Sequence, residues 1–290
     1  MTVTHVVPKF ADEERILDVD NVGMRYPNGS LAIDSVTLDV RRGEFVSIVG
    51  PSGCGKTTLM KCLSGLVQPS SGFIDLHGSR VTAPPPEMVL VFQDYSRSLY
   101  PWLTVAKNVE MPLRANKRMK TSLSEQGRRD RVTDSLDAVG LLGTQEKYPW
   151  QLSGGMQQRV AIARAIAFRP EILLLDEPFA SVDALSREDL EDLVLMLRQR
   201  VGMTVVMVTH DIDEAVYMSD RVYVLGPSPS VVVLEVPIDL GVLRDQLSTR
   251  SCKPFLKLRQ QIHQQIRWRE EPANPMRGGS ASPHKIGILT

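Results

Sequence analysis

Four short stretches of this chain hold residue types that do phosphate chemistry. "GPSGCGKT", residues 50 to 57, fits the spacing G-x-x-x-x-G-K-[ST] at every fixed position. Glycines let backbone N–H groups curl around a phosphate without Cβ clashes. Lys56 can reach β- and γ-phosphates as a compact charge, and the Thr57 hydroxyl can ligate Mg2+. "ILLLDEP" ends an apolar run in Asp176, suited to hold a Mg2+ shell through water, and in Glu177, which can orient and polarise an attacking water. His210 closes the apolar run "TVVMVTH". A lone histidine at a strand end is usually structural; at the end of a strand in the same sheet it can contact the γ-phosphate. The fourth stretch is "LSGGMQQR", residues 152 to 159. Ser153, Gly154 and Gly155 stand just ahead of a helix-like run, where unpaired N–H groups and a helix dipole favour an anion. No lysine follows those glycines and no hydroxyl is placed for a metal, so this second phosphate site is incomplete by itself.

These residues need a scaffold that brings strand ends together. "FVSIVG", "EILLLD" and "TVVMVTH" are almost continuously apolar, as strands buried on both faces are. Each leads into a helical pattern: "GKTTLMKCLSGL", "REDLEDLVLMLRQR" and "DIDEAVYMSD". Strand, loop and helix repeated in this way predict a parallel α/β sheet with functional loops at the strand C-termini. Ahead of it, "ILDVDNVGMRYP" and "LAIDSVTLDVRRGEF" alternate apolar and polar residues around the turn signal "PNGS", which predicts antiparallel strands. Residues 94–165 break the pattern. There "TSLSEQGRRDRVTDSLDAVGLL" and "SGGMQQRVAIARAIAF" predict amphipathic helices inserted into the core. "PPP" at 84–86 marks a surface loop, "SVVVLEVPIDL" a strand and "FLKLRQQIHQQIRW" a terminal helix. The expected division is a flexible start over 1–14, one domain over 15–245 that carries all four phosphate-chemistry stretches, a helix over 246–270 and a disordered tail over 271–290 rich in Pro, Gly and Ser.

Composition narrows the class. The chain has 290 residues, enough for one large domain or two modest ones, and 42% are hydrophobic, normal for a globular protein. Lys plus Arg equals Asp plus Glu at 34 each, which leaves no basic excess to point to nucleic acid. Cys54, Cys62 and Cys252 are too few and too scattered for a disulfide framework or a zinc site. No uninterrupted apolar run approaches the ~20 residues of a membrane span, and "MTVTHVVPKFADEE" lacks the pattern of a signal peptide. The expectation is a protein of the reduced cytosol that meets a membrane only through another protein.

Taken in order, "GPSGCGKT", "LSGGMQQR", "ILLLDEP", "SVDA" and "VTH" resemble the nucleotide-binding subunits of ATP-binding cassette transporters over residues 15–240. "LSGG" is the most specific element. The resemblance implies an α/β fold: a P-loop NTPase core with a mainly parallel sheet, an N-terminal antiparallel β subdomain and an inserted α-helical subdomain. It implies two copies packed head to tail as a homodimer with ATP between them. Gly50, Pro51, Ser52, Gly53, Cys54, Gly55, Lys56, Thr57 and Thr58 would then hold ATP, with Tyr26 stacking on adenine. Ser153, Gly154 and Gly155 would reach the γ-phosphate held by the second copy, and Asp183 would cross the interface. Thr57, Asp176 and Gln93 would serve Mg2+, with Glu177, His210 and Gln93 as the catalytic set. Met156 departs from the commonest signature, which has glutamine there; the implied contacts come from Ser153 and backbone N–H groups, so little loss is expected.

The same resemblance gives expectations about transport. The pore would lie in separate membrane subunits, docking near Gln93–Leu103, where Tyr100, Trp102 and Leu103 are expected to form an apolar, aromatic surface loop. A periplasmic or extracellular solute-binding protein would act indirectly, and the chain would sit at the cytoplasmic face of the cell membrane. "SLYPWLTV" and "VVVLEVPIDL" resemble the nitrate, sulfonate and taurine importer branch; an importer of an amino acid, metal or sugar is the alternative. A cassette ATPase of DNA repair or translation would carry coiled-coil insertions or a second cassette, which this chain lacks. A module that binds ATP without splitting it would not need Glu177 and His210.

Overall fold

The structure, a computed structural model, describes residues 14–93, 98–116, 121–180 and 182–270, the last four by their backbone alone. The expected disordered tail and all but Glu14 of the expected flexible start lie outside these residues. Glu14 itself is tied to Arg42, both by its carbonyl and by its carboxylate.

Ten strands form one sheet in the order β5-β4-β1-β2-β10-β9-β3-β8-β7-β6. At one end β1 (Arg15–Arg25), β2 (Leu31–Arg41), β4 (Ser71–Leu76) and β5 (Ser79–Arg80) pair antiparallel. At the other, β3 (Phe45–Val49), β6 (Met88–Val91), β7 (Ile172–Asp176), β8 (Thr204–Thr209) and β9 (Arg221–Leu225) run parallel. β10 (Ser230–Pro237) joins the halves, antiparallel to β9 and briefly parallel to β2.

The apolar runs are explained by burial on both faces. Every residue of β3, β7 and β8 is buried. Because side chains alternate along a strand, each strand feeds two cores. Phe45, Val49, Leu173, Leu175, Val205 and Met207 belong to one core. Val46, Ile48, Ile172, Leu174, Val206 and Val208 belong to the other. The second core is closed by Leu59, Met60 and Leu63 of α1 (Lys56–Leu63) and by β1 and β2. The first is closed by the remaining helices.

Among the described residues, α2 (Val105–Ala115), α3 (Glu125–Ala138) and α4 (Gly154–Ile166) stand between β6 and β7. Each starts at a hydroxyl cap, with Thr104, Ser124 and Ser153 accepting from backbone N–H groups three residues on. α3 begins later than the sequence pattern suggests and buries only Val132, Ser135 and Leu136. α2 carries Pro112 in its interior. Beyond β7 come α5 (Ala184–Val201) and α6 (Ile212–Met218). The described residues close with α7 (Gln246–Ser251) and α8 (Lys253–Glu270), and α8 packs on α6, β9 and β10 through Phe255 and Ile262. No described helix is long and apolar enough to cross a membrane.

Candidate functional site

Register decides which residues meet. Val49 of β3 lies beside Thr209 of β8, Val208 beside Asp176 of β7, and Leu175 beside Val91 of β6. Four parallel strands thus stop almost level. The residues that follow, Gly50, His210 and Glu177, with Gln93 two places beyond β6, emerge at one edge of the sheet. It is the C-terminal edge, where open α/β sheets bind their ligands.

The turn from β3 to α1 is built for glycine. Gly53 and Gly55 have φ of 76° and 101°, a region that residues with a Cβ avoid. A Cβ on Gly55 would also stand 3.0 Å from the carbonyl of Ala32. Lys56 is 6% exposed, and its Nζ donates to the carbonyls of Gly50 at 2.9 Å and Pro51 at 3.0 Å. The ammonium is therefore held inside the turn, over the backbone that would ring a phosphate. Cys54 is buried, and burial pushes its thiol up, which disfavours the thiolate and leaves it a packing residue. Tyr26 Oη is 2.8 Å from Thr58 Oγ1, so its ring stands at the rim of the turn.

Opposite lie the carboxylates. Thr57 Oγ1 donates to Asp176 Oδ1 at 3.3 Å. Burial raises the Asp176 carboxyl, the Thr57 bond works against that, and the neighbouring Glu177 charge raises it further. Glu177 has φ of 45°, and its N–H is tied to the Val208 carbonyl at 2.8 Å. Its Oε2 accepts from Gln93 Nε2 at 2.9 Å and lies 3.3 Å from His210 Nδ1. One carboxylate oxygen is thus shared by the two side chains on either flank, while His210 remains more than half exposed. Among the described residues no group of three or more His, Cys, Asp or Glu could hold a metal. The Thr57 hydroxyl and the Asp176 carboxylate, hydrogen-bonded to each other, are hard oxygen donors of the kind that suits Mg2+.

Ser153, Gly154 and Asp183 are not brought to this edge. Ser153 is exposed and its Oγ accepts from the Met156 N–H at 3.3 Å, so it caps α4. Asp183 caps α5 by accepting from the Ser186 N–H at 3.1 Å, a bond that holds its carboxyl below the usual range. Gly155 lies against Ser186, where a Cβ would come within 3.4 Å of that side chain's Cβ. Among the described residues, neither Ser153 nor Asp183 hydrogen-bonds to Lys56, Asp176 or Glu177.

The aromatic loop differs from its expectation. Trp102 is 70% exposed, but Tyr100 and Leu103 are half-buried. The Tyr100 and Trp102 rings meet in an edge-type contact, with centroids 5.5 Å apart. The cause is Asn108, which the sequence reading passed over. Buried in α2, its Oδ1 accepts from the Tyr100 N–H at 2.8 Å. Its Nδ2 faces the carbonyls of Tyr100, Leu103 and Thr104 at 3.0–3.1 Å. Arg164 was also passed over. From α4 it donates to the carbonyl and hydroxyl of Ser98, at 2.6 and 2.7 Å. A lone arginine in "AIARAIA" was the available signal.

Residues 33–180 match the family described as ABC transporter. The chain is 42% identical over 254 residues to the nitrate import ATP-binding protein NrtC of Synechococcus elongatus, covering 85% of this chain but 37% of that one. It is 44% identical over 229 residues to the nitrate import ATP-binding protein NrtD of the same organism, covering 77% and 82%. The bicarbonate transport ATP-binding protein CmpC, also of Synechococcus elongatus, is 44% identical over 227 residues, 76% of this chain and 34% of that one. Among solved structures, the dimeric ATP-binding cassette MJ0796 in a post-hydrolysis state bound to ADP and Pi superposes with a TM-score of 0.67. It is 34% identical and covers 77% of this chain and 99% of its own. The chain belongs to the ABC transporter family and is an ATP-binding cassette ATPase.

Proposed function

We propose that this chain splits ATP to drive import of a small oxyanion, nitrate first, through separate membrane-spanning subunits. One observation carries the catalytic half: the strand register gathers Lys56, Thr57, Asp176, Glu177, His210 and Gln93 at a single edge. The solute half is supported by relatives named for nitrate and for bicarbonate import, two planar, singly charged oxyanions.

The residues divide the work as follows. N–H groups of the turn from Gly50 to Gly55, with Lys56, hold the β- and γ-phosphates, and Tyr26 stacks on adenine. Thr57, Asp176 and Gln93 would hold Mg2+, which would neutralise charge on the transferring phosphoryl group. Glu177 takes a proton from water as its oxygen attacks the γ-phosphorus and ADP leaves. His210, in contact with the same carboxylate, keeps Glu177 in line. Ser153, Gly154 and Gly155 of one copy complete the pocket of a second copy turned end for end, with Asp183 crossing between them. The exposure of Ser153, Gly154 and Asp183 supports this reading, as does the lack, among the described residues, of any hydrogen bond from Ser153 or Asp183 to Lys56, Asp176 or Glu177. The loop from Gln93 to Leu103 receives the membrane subunit at the cytoplasmic face, and a solute-binding protein delivers the anion outside.

The test is reconstitution in vesicles with cognate membrane subunits and a solute-binding protein. ATP turnover stimulated by nitrate, with uptake of isotope-labelled nitrate, is expected. Uptake of labelled bicarbonate alone would reassign the solute, and turnover indifferent to every oxyanion would refute import of this class.

A further inference from the structure

The turn that carries Glu177 is not held by its own backbone preferences. Glu177 sits at φ of 45°, in the left-handed region, which costs a side-chain-bearing residue about 1–2 kcal/mol. Pro178 follows and has no N–H, so its carbonyl is its one backbone polar group. The turn has two outer tethers. The Glu177 N–H reaches the Val208 carbonyl of β8 at 2.8 Å. The Pro178 carbonyl accepts from Nε2 of Gln158, at 2.5 Å.

Gln158 belongs to α4, five residues beyond Ser153, and is 0% exposed. Its Oε1 finds no hydrogen-bond partner. A buried amide with one arm unpaired is a costly way to fill space, and Leu or Met would pack there without that cost. What only an amide supplies is the N–H that meets Pro178. Rotating the amide would set oxygen against oxygen, so the bond fixes its orientation.

We propose that Gln158 is the positioning residue of the ATPase site, holding the Glu177–Pro178 turn so that the Glu177 carboxylate stays between Gln93 and His210. The inference rests on the catalytic role proposed above for Glu177. Gln158 does not touch the nucleotide; it acts through the peptide next to the catalytic carboxylate. It also ties that turn to the helix whose first residues face the second copy.

The test compares Gln158→Met, Gln158→Glu and Glu177→Gln in the full chain. Gln158→Met keeps length and packing but removes the donor. Its turnover should fall by about tenfold or more, the range expected for displacing a general base. KM for ATP should stay within about twofold, because Lys56 and the Gly50–Gly55 turn are untouched. The ATP-bound dimer, followed by size-exclusion chromatography with ATP and Mg2+, should persist or accumulate. Loss of that dimer would overturn the proposal, because the amide would then be serving the Ser153 end of the helix. Unchanged turnover would overturn it as well. Gln158→Glu guards against a misfolded methionine variant. When ionised its carboxylate offers Pro178 no donor, and when protonated it donates O–H, so its turnover relative to the unaltered protein should recover as pH falls from about 8 to about 6. A flat ratio would overturn the proposal. If Glu177→Gln itself turns over normally, the reading of Glu177 has failed; if Glu177→Gln is inactive while Gln158→Met runs at full speed, only the inference about Gln158 has failed.

Discussion

Lys56 and Ser153, the two phosphate contacts of the proposed function, stand on opposite kinds of surface. Lys56 is buried and already bonded to two carbonyls of its own turn. Ser153 stands exposed at a helix start, its oxygen engaged only in capping. The first is positioned by the sheet, because the strand that precedes it is locked in register with three others. The second is positioned by local chemistry alone, a hydroxyl followed by two glycines. An inward group finds its working partners within the chain; an outward group is complete as a structure and incomplete as a site. In the function proposed above, that difference lets one chain build half of a pocket finished and present the other half to a second copy.

The largest test of the contrast is Lys56→Ala. Removing the charge takes away two or more charge-assisted hydrogen bonds to phosphate, each about 1.5–3 kcal/mol. ATP affinity of the isolated chain, measured by titration calorimetry, should fall on the order of a hundredfold or more. Near-normal affinity would show that the turn's N–H groups hold the phosphates without the buried lysine, and the inward half of the comparison would break.

A second inward group sharpens it through pH. Glu214 is buried in α6, accepts from Thr209 Oγ1 at 2.6 Å, and is faced by Asp211, Glu191 and Arg187. Burial, with the Asp211 and Glu191 charges, pushes its carboxyl up to about 7, against 4.5 for an ordinary glutamate. The folded chain therefore keeps a proton that the unfolded chain releases. Stability is highest below about pH 4.5 as far as this group is concerned, and falls as pH rises towards about 7. Glu214→Gln should flatten that dependence and, at pH about 8, stabilise the fold by on the order of 2 kcal/mol. Denaturant melts across the pH range decide it; a variant with the unaltered slope would remove Glu214 as the cause.

Much of the inward half was legible in the sequence. Lys56, Asp176, Glu177 and His210 each follow or close a continuous apolar run, and such runs predict buried parallel strands whose ends must come together. Four strands and a helix were not read from the sequence. β4, β5, β6 and β9 are each six residues or shorter, and Pro112 inside α2 interrupts a helical pattern by removing a donor. Gln158, Asn108 and Arg164 stayed hidden for a different reason. A polar residue on an apolar helix face looks like surface until the fold shows which backbone carbonyl it meets. The left-handed backbone of Glu177 had no local signal at all; it accompanies the tertiary bonds of the Glu177 N–H to Val208 and of the Pro178 carbonyl to Gln158.

The outward half is tested first by Ser153→Ala. Losing the cap costs α4 about 1 kcal/mol. ATP binding by the isolated chain should be unchanged, because Ser153 lies outside its own pocket. ATP-driven dimerisation, followed by light scattering, should weaken about tenfold, the effect of one charge-assisted bond to phosphate. A loss of binding equal to that of Lys56→Ala would place Ser153 inside its own site and end the distinction.

Trp102→Ala gives the smallest effect and the cleanest separation. The indole is 70% exposed, so little burial is lost with it, and a surface substitution of this kind shifts stability within about 0.5 kcal/mol. Its place is nonetheless fixed: Asn108 holds the loop on both sides of it, and the Tyr100 ring meets it in an edge-type contact. A rigid, exposed tryptophan is worth upwards of about 1 kcal/mol when a partner covers it, roughly fivefold in affinity. Co-purification with the membrane subunits should weaken by that factor while ATP binding by the isolated chain is untouched. If ATP binding fell together with assembly, the loop would be acting on the sheet edge through Gln93 and Glu177, and outward and inward groups would no longer be separable by mutation.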